Sequence, residues 1–353
     1  MREHGQLAER TTIAADLIVD ASGRSSKLPH WLQELGYHLS EDEQVHSAIG
    51  YSTRHYQFPA DAQHEWSSAL KPVSQSDGVG FSLLENHTCA VIIGNIGGQY
   101  PPTEAAAFEQ RLAVTIGSYL PTLLQDAQPL DDPRGYRIPV CVRHHFEQME
   151  DWPHGLLVMG DAFCDFDPIY GQGMSVAAIE AETLARCLHE QQNSPQAGFE
   201  RHVLGRMQEA IAPAWWLSSV SDLTAPGVTY TGSSPLRGVK LIQLYLDLYL
   251  KYALVLDRKL LQEGMQGQTY MFKNFLMHGL LISPREVMNA RVLATLLAVG
   301  EASEERQLLA ELLQGYPQCF GAILDEIIPD FSRAFEGLQA FAQEEGVSAS
   351  RGV

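Results

Sequence analysis

Positive charge is scarce in this sequence of 353 residues: Lys and Arg number 24 against 43 Asp and Glu, a formal net charge of −19. That balance argues against sequence-independent binding to nucleic acid or to anionic membrane surfaces. Cysteine is sparse too. Cys89, Cys141, Cys164, Cys187 and Cys319 are odd in number and show no CxxC or other metal-ligand spacing. They are expected to be reduced thiols of a cytoplasmic protein, with no metal centre. An uninterrupted apolar run of about eighteen residues is missing, so no membrane-spanning helix is expected. The richest stretch, Leu241–Leu256, is broken by Gln243, Asp247 and Lys251. The polar start MREHGQLAER has no signal-peptide pattern. Also missing is a strand–GxGxxG–helix unit of about thirty residues for a dinucleotide. Gly94-Asn95-Ile96-Gly97-Gly98 has the wrong spacing, and Gln99-Tyr100-Pro101-Pro102 follows it instead of a helix. It reads as the end of a strand.

What is present is ordinary globular material, 45% hydrophobic and 19% charged, enough for one large or two modest domains. Its most informative segment is GLLVMGDAFCDFDPIYGQGMSVAAIEAETLARCL, from Gly155 to Leu188. Leu156–Met159 suits a short buried parallel strand. Gly160 allows a sharp turn and close approach of a ligand. Asp161 sets a carboxylate at the strand's C-terminal end, where it can accept hydrogen bonds from a polyol. Gly171-Gln172-Gly173 brings bare backbone N–H groups to the start of a helix, expected from Met174 to about Gln191, where negative charge is stabilised. The bland alternative is a strand–loop–helix crossover with Gly and Pro serving only the turn.

A second segment, TIAADLIVD followed by ASGRSSKLPHWLQELGY, reads as a strand over 12–20 and a turn through Gly23, Arg24 and Ser26. A helix follows, with Trp31, Leu32 and Leu35 on one face and Gly36 at its end. Strand patterns recur at 45–58 and 135–146, with a hairpin of 78–86 and 87–97 turning near Glu85-Asn86-His87. Residues 104–125 look helical, interrupted by Gly117 and Pro121. Beyond the long helix the chain reads as helical to its end, over 198–223, 236–262, 268–280, 284–299, 303–314 and 320–344.

Gly160-Asp161-Ala162, Pro168 and Gly171-Gln172-Gly173-Met174, in that order, resemble the second flavin-contacting motif of the group A FAD-dependent monooxygenases, the para-hydroxybenzoate hydroxylase-like family. With Phe166, Tyr170 and Gln172 the string is especially similar to a bacterial branch of polyprenyl-methoxyphenol hydroxylase-like FAD-dependent oxidoreductases. Asp20, Ala21, Gly23 and Ser26 resemble the family's other signature, with Ser22 where many members carry Asp.

The resemblance implies an α/β fold: a partial FAD-binding, Rossmann-like three-layer core, an inserted mixed or antiparallel substrate sheet, and an α-helical C-terminal region. The corresponding segments are 1–40 and 151–195 for FAD, 41–150 for the sheet and 196–353 for the helices. It implies FAD as cofactor, NAD(P)H as reductant, and hydroxylation or epoxidation by O₂ of an aromatic or polyprenyl-like small organic molecule. Asp161 would bond the ribityl chain, beside Gly160. Gly171, Gln172, Gly173 and Met174 would face the isoalloxazine, Pro168 would hold the loop, and Tyr170 would pack beside the ring. Gly23, Arg24 and Ser26 would lie on the nicotinamide path. Tyr51, Arg54, Tyr56, Tyr136 and Arg137 are candidate pocket residues or, equally, sheet-surface side chains. His144-His145 read as surface or edge histidines, and Trp215-Trp216 and 241–256 as helix core.

The family's N-terminal GxGxxG unit has no counterpart here. The expectation is therefore an N-terminally truncated chain that alone binds FAD weakly or not at all, or one completed by a separate chain supplying that part. Other readings stay open. One is a different flavin-dependent oxidoreductase, reductase-like or halogenase-like, although the catalytic lysine and Trp-x-Trp-x-x-Pro segment of a halogenase are not seen. Another is a non-catalytic remnant acting as a binding protein.

Overall fold

A computed structural model describes residues 12–62, 68–72, 77–116, 124, 126–262, 269–298, 303–314 and 319–335. Two short apolar segments far apart in sequence meet in it. Strand β1 (Ile18–Asp20) pairs in parallel with β10 (Leu156–Val158), Ile18 opposite Leu156 and Asp20 opposite Val158. The strand expected over 12–20 forms only in its last three residues. Residues 12–17 run past the start of β10 and find no partner strand among the described residues.

Between these strands runs a long crossover that holds one antiparallel sheet and two strands of another. The strand expected over 45–58 is two, β2 (Glu43–His46) and β3 (Ile49–Gln57), broken at Ala48, whose N–H donates to Pro139 O. Then come β4 (Ser68–Pro72), β5 (Asp77–Leu84), β6 (Thr88–Asn95), β7 (Gln128–Pro129) and β8 (Arg134–Ile138). Their sheet runs β4-β5-β6-β3-β7, with β8 also paired to β3, and every pairing is antiparallel. The expected hairpin is β5–β6, reversing through Asn86 and His87 at φ 60 and 56. The stretch 135–146 splits at Pro139. Its second part, β9 (Cys141–Arg143), joins a separate sheet, β11-β2-β9. Strand β11 (Thr229–Thr231) lies in the region read as wholly helical, and it forms because β2 offers it an open edge.

Helix α1 (Leu28–Glu34) buries Leu32, but Trp31 and Leu35 are exposed, so the expected common face is not covered. Helix α2 (Ala105–Ile116) lies on the six-stranded sheet. The rest of the helix expected there, 117–123 and 125, is outside the described residues. Alternate residues of β3 (Ser52, Arg54, Tyr56) point toward α2. Phe108 and Leu112 of α2 close a small core there with Phe58, Val79, Phe81, Val91 and Ile93.

The C-terminal half is helical: α3 (Gly173–Asn193), α4 (Phe199–Asp222), α5 (Val239–Gln262), α6 (Tyr270–His278), α7 (Pro284–Val287), α8 (Ala290–Ala298), α9 (Ser303–Leu313) and α10 (Phe320–Ile327). The segment 284–299 is two helices because Asn289 breaks it, its side-chain oxygen accepting from Val292 N. Helix α10 stops before Pro329, short of the expected 344, and residues after 335 are outside the described set. Trp215 and Trp216, and Leu241, Tyr245, Leu248 and Tyr249 of α5, lie in one large apolar core with β10 and the loop after it. They are core residues, as their helical spacing suggests. Among the described residues, no helix is long and apolar enough to cross a membrane. The architecture is α/β, with an antiparallel sheet inserted between the two parallel strands and helices after Gly173.

Candidate functional site

The chain leaves β10 through Met159 into a 3-10 turn, Gly160–Ala162, with Gly160 at φ 64. A second such turn, Pro168–Tyr170, leads through Gly171, also at φ 64, into α3. That left-handed backbone suits glycine at both positions. Added Cβ atoms at Gly160 and Gly171 would meet nothing within 4 Å, so the space in front of both is open.

Asp161 is exposed at this strand end, and no hydrogen bond reaches its carboxylate among the described residues. Its Oδ1 lies 3.9 Å from where a Cβ of Gly173 would stand. Helix α3 begins at Gly173 with no side-chain cap. Its first-turn N–H groups therefore lack intrahelical partners and face outward beside Asp161. Met174 is 87% exposed here. Gln172 is buried instead. Its Nε2 donates to His278 O at 2.9 Å, tying the loop to α6, while its Oε1 has no donor. Pro168 is exposed at the first position of its turn.

Behind Gly160 sits Glu180 of α3. Its Oε2 accepts from Gly160 N at 2.5 Å, and its Oε1 is buried without a partner. Burial pushes its carboxyl up to about 7, the Gly160 N–H pulls the other way, and the Asp161 charge adds to the rise.

The second predicted segment joins this loop through one residue. Arg24 Nη2 meets Asp165 Oδ1 at 2.9 Å and Nη1 donates to Val140 O at 3.1 Å. Asp165 Oδ1 also accepts from Val142 N at 2.9 Å. Burial pushes Asp165 up to about 6 against the pull of Arg24 and the Val142 N–H. Gly23 and Ser26 serve their own turn instead. Ser26 Oγ donates to Asp20 Oδ2 at 2.5 Å and accepts from Leu28 N, while Ser22 N–H takes Asp20 Oδ1. Burial opposes the charge on Asp20, but these bonds outweigh it and hold the carboxyl below its ordinary value.

Of the candidate pocket residues, only Tyr51 reaches the loop, donating to Asp167 Oδ1 at 2.7 Å. Arg54 is turned the other way. It donates to Glu109 at 2.6 Å and to Asp131 O at 2.9 Å, and Tyr56 donates to the same Glu109 oxygen. Both fasten α2 to the sheet. Tyr136 and Arg137 are exposed on the sheet, with Arg137 stacked on Tyr100. The two histidines, read as surface or edge residues, follow the edge strand β9, with His144 half-buried. His145 is buried between Glu147 and Glu43, and His144 bonds Asp42. Burial works against a charge on His145, but Glu147 and Glu43 prevail and push it up to about 9. A cleft of about 450 Å³ lies on that side, between His145, Glu147, Gln208 and Asp330, and contains none of the loop residues.

The sequence reading missed Asp165, Asp167, Glu180 and Asp222. The first two could have been found as acids alternating inside an otherwise apolar string, Phe163 to Pro168. Glu180 and Asp222 lie in helical segments where no local pattern marks them. Cys187, Glu190 and His202, scattered in sequence, place potential metal donor atoms within 4.8 Å of one another on α3 and α4, with Glu190 and His202 exposed.

No family model matches the sequence. A curated protein of Mycobacterium tuberculosis (strain ATCC 25618 / H37Rv), Protein Rv3254, is 26% identical over 231 residues, which cover 62% of this chain and 47% of that protein. The chain thus spans about half the length of the curated relative it matches. Similar solved structures include the flavin-dependent brominase Bmp2, 14% identical, covering 83% of this chain and 63% of that one at a TM-score of 0.49. Another is a flavoprotein/dehydrogenase from Cytophaga hutchinsonii, 11% identical over 85% and 62% of the two chains, TM-score 0.47. A mutant of halogenase PltM in complex with FAD is 14% identical over 96% and 65%, TM-score 0.45. None of these likenesses assigns a function to this chain.

Proposed function

We propose that this chain is a FAD-dependent oxidoreductase of the monooxygenase type, with Gly160–Met174 holding the flavin and ribityl end of the cofactor. The observation that carries this reading is the unpartnered, exposed carboxylate of Asp161 at the end of a parallel strand, beside the uncapped start of α3. An acceptor for hydroxyl donors and a row of donors for developing negative charge are thereby side by side.

These residues fit the flavin end of the cofactor. Asp161 would accept from ribityl hydroxyls. The N–H groups of Gly173 and Met174 would be available to the polar edge of the ring. Gly160 and Gly171 keep side chains out of the space between. Arg24, paired with Asp165, holds the Asp20–Ser26 turn against the loop. Bound FAD would supply hydride acceptance from NAD(P)H and activation of O₂ toward an aromatic or polyprenyl-like substrate. For the ADP end, the described residues offer no second strand and helix joined by a GxGxxG turn. The chain alone is therefore proposed to bind FAD weakly, with a separate chain as one means of completing the site.

FAD titration followed by quenching of flavin fluorescence tests this, with wild type set against Asp161→Ala. Hydrogen bonds to a charged group contribute about 1.5–3 kcal/mol, so the variant should bind about 10- to 100-fold more weakly. Equal affinity in the two proteins, or no saturable binding by wild type, would sink the proposal.

A further inference from the structure

Behind the Pro168–Gly173 loop lie two aspartates that the proposed flavin chemistry leaves unused. Asp167 comes from the loop itself and Asp222 from the last turn of α4, and they are 1% and 2% exposed. Tyr51 of β3 donates to Asp167 Oδ1 at 2.7 Å, and the Ile169 N–H shares that oxygen at 2.8 Å. Tyr170 donates to Asp222 Oδ1 at 2.7 Å. The other Asp167 oxygen, Oδ2, is buried and receives no donor among the described residues. It belongs to a carboxyl that faces the carboxyl of Asp222. Two carboxylates are acceptors only and cannot satisfy each other. One proton between them makes a donor and an acceptor, in a short and strong bond.

The surroundings offer no other remedy. Arg24 is the cation that acts on Asp167, and its Nη1 and Nη2 are engaged by Val140 O and Asp165. Among the described residues, the other groups that act on the pair or on its partners are the Tyr51 and Tyr170 hydroxyls, the Ser221 hydroxyl beside Tyr170, and the Cys141 thiol, which Asp165 also faces. Burial first, and then neighbouring negative charge, holds Tyr51, Tyr170 and Cys141 in their neutral forms.

We propose that Asp167 and Asp222 share a single proton and form an internal acid that serves the Pro168–Gly173 loop through the hydroxyls of Tyr51 and Tyr170. Burial raises both carboxyls, and the charge of Asp167 raises Asp222 further. In the outward step, the tyrosine O–H turns from its aspartate toward the loop, the O–H bond of the protonated carboxyl breaks and its proton passes to the tyrosine oxygen. The tyrosine gives its own proton to water at the loop. The tyrosine is neutral before and after, the pair is left with a second negative charge, and a proton from water restores it. This inference does not depend on the flavin reading, because it concerns the pair in the absence of any ligand.

Asp222→Asn tests the shared proton. Its amide N–H can donate to Asp167 Oδ2 at every pH, as the shared proton does only while it is bound. Stability of the two proteins is compared by urea unfolding from mildly acidic to alkaline pH. A proton held in the fold but not in the unfolded chain costs wild type up to tenfold in its folding constant per pH unit of rise. The variant should therefore gain on wild type as pH rises, and a difference independent of pH would overturn the proposal. If the variant does not fold, infrared spectra of wild type carrying ¹³C-carboxyl aspartate give the answer. A protonated-carboxyl band at neutral pH that moves with the label supports the pair, and its absence overturns it. Transfer of the same protein to D₂O tests the exit: Tyr51→Phe combined with Tyr170→Phe should slow the deuterium shift of that band at least tenfold. An unchanged rate would remove the tyrosines from the path.

Discussion

Glu180 sits under the turn that presents Asp161, and its titration has consequences for stability. Its folded pKa of about 7 lies above the ordinary 4.5 of a glutamate. A carboxyl raised in this way contributes stability that is fully present below its unfolded pKa and is lost as pH climbs through the folded one. Glu180→Gln keeps an acceptor for Gly160 N–H and carries no proton to lose. It should gain about 3 kcal/mol on wild type between pH 4.5 and 7, measured as the difference in urea unfolding free energy. A constant difference across that range would mean that Glu180 is ionised throughout. His145 has the same sign. Raised to about 9 by Glu147 and Glu43, it stabilises the fold below its ordinary range, and that contribution disappears as pH passes about 9. His145→Gln should flatten the alkaline limb of the stability profile. At this scale the sequence was readable where a side chain stands at a backbone landmark, as Asp161 does. It was unreadable where only a distant element supplies the partner. Nothing local to Asp222 announces that Tyr170 and Asp167 will meet it.

Among elements, the loop between β10 and α3 is held less by its own turns than by what packs on it. The ring of Phe166 meets Trp215 of α4 edge-on, centroids 6.3 Å apart, with both residues buried. Phe166→Ala should cost about 3–5 kcal/mol in unfolding free energy. It should also weaken any ligand binding that depends on the loop's shape. A smaller effect is expected at α6, whose first N–H groups, Tyr270 and Met271, are taken by both carboxylate oxygens of Asp257 in α5. Asp257→Ala should lower stability by about 1–2 kcal/mol, the ordinary effect of losing a cap. Helices with long apolar periods, such as 198–223 and 236–262, were legible nearly to their ends. Strand boundaries were less so. Ala48 and Pro139 break two apparent strands because each half pairs with a different sheet, and such choices depend on neighbours that no local pattern contains. Strand β11 exists only because the edge of β2 is there to receive it.

In the whole molecule, the two-stranded parallel sheet is sheltered on one side only: β10 is buried and β1 is exposed. Ile18 is 56% exposed, and β1 has no second neighbour among the described residues. An apolar strand edge of this kind is a template for self-association. Ile18→Lys should reduce concentration-dependent association in sedimentation while shifting the thermal midpoint little. The arrangement of this sheet also governs when it can form. Arg24 and Asp165, which clamp its two strand ends together, are 141 residues apart in the chain. Hairpins such as β5–β6 can close within microseconds, whereas the ends of so long a crossover must find one another late and at a large entropic cost. During synthesis β1 emerges before β10, and their pairing must wait until the antiparallel insert and β10 have been made. The hairpins of the antiparallel sheet can therefore close before β1 meets β10, and the Arg24–Asp165 clamp at the carboxylate end of β10 belongs to the latest class of contacts available to the chain.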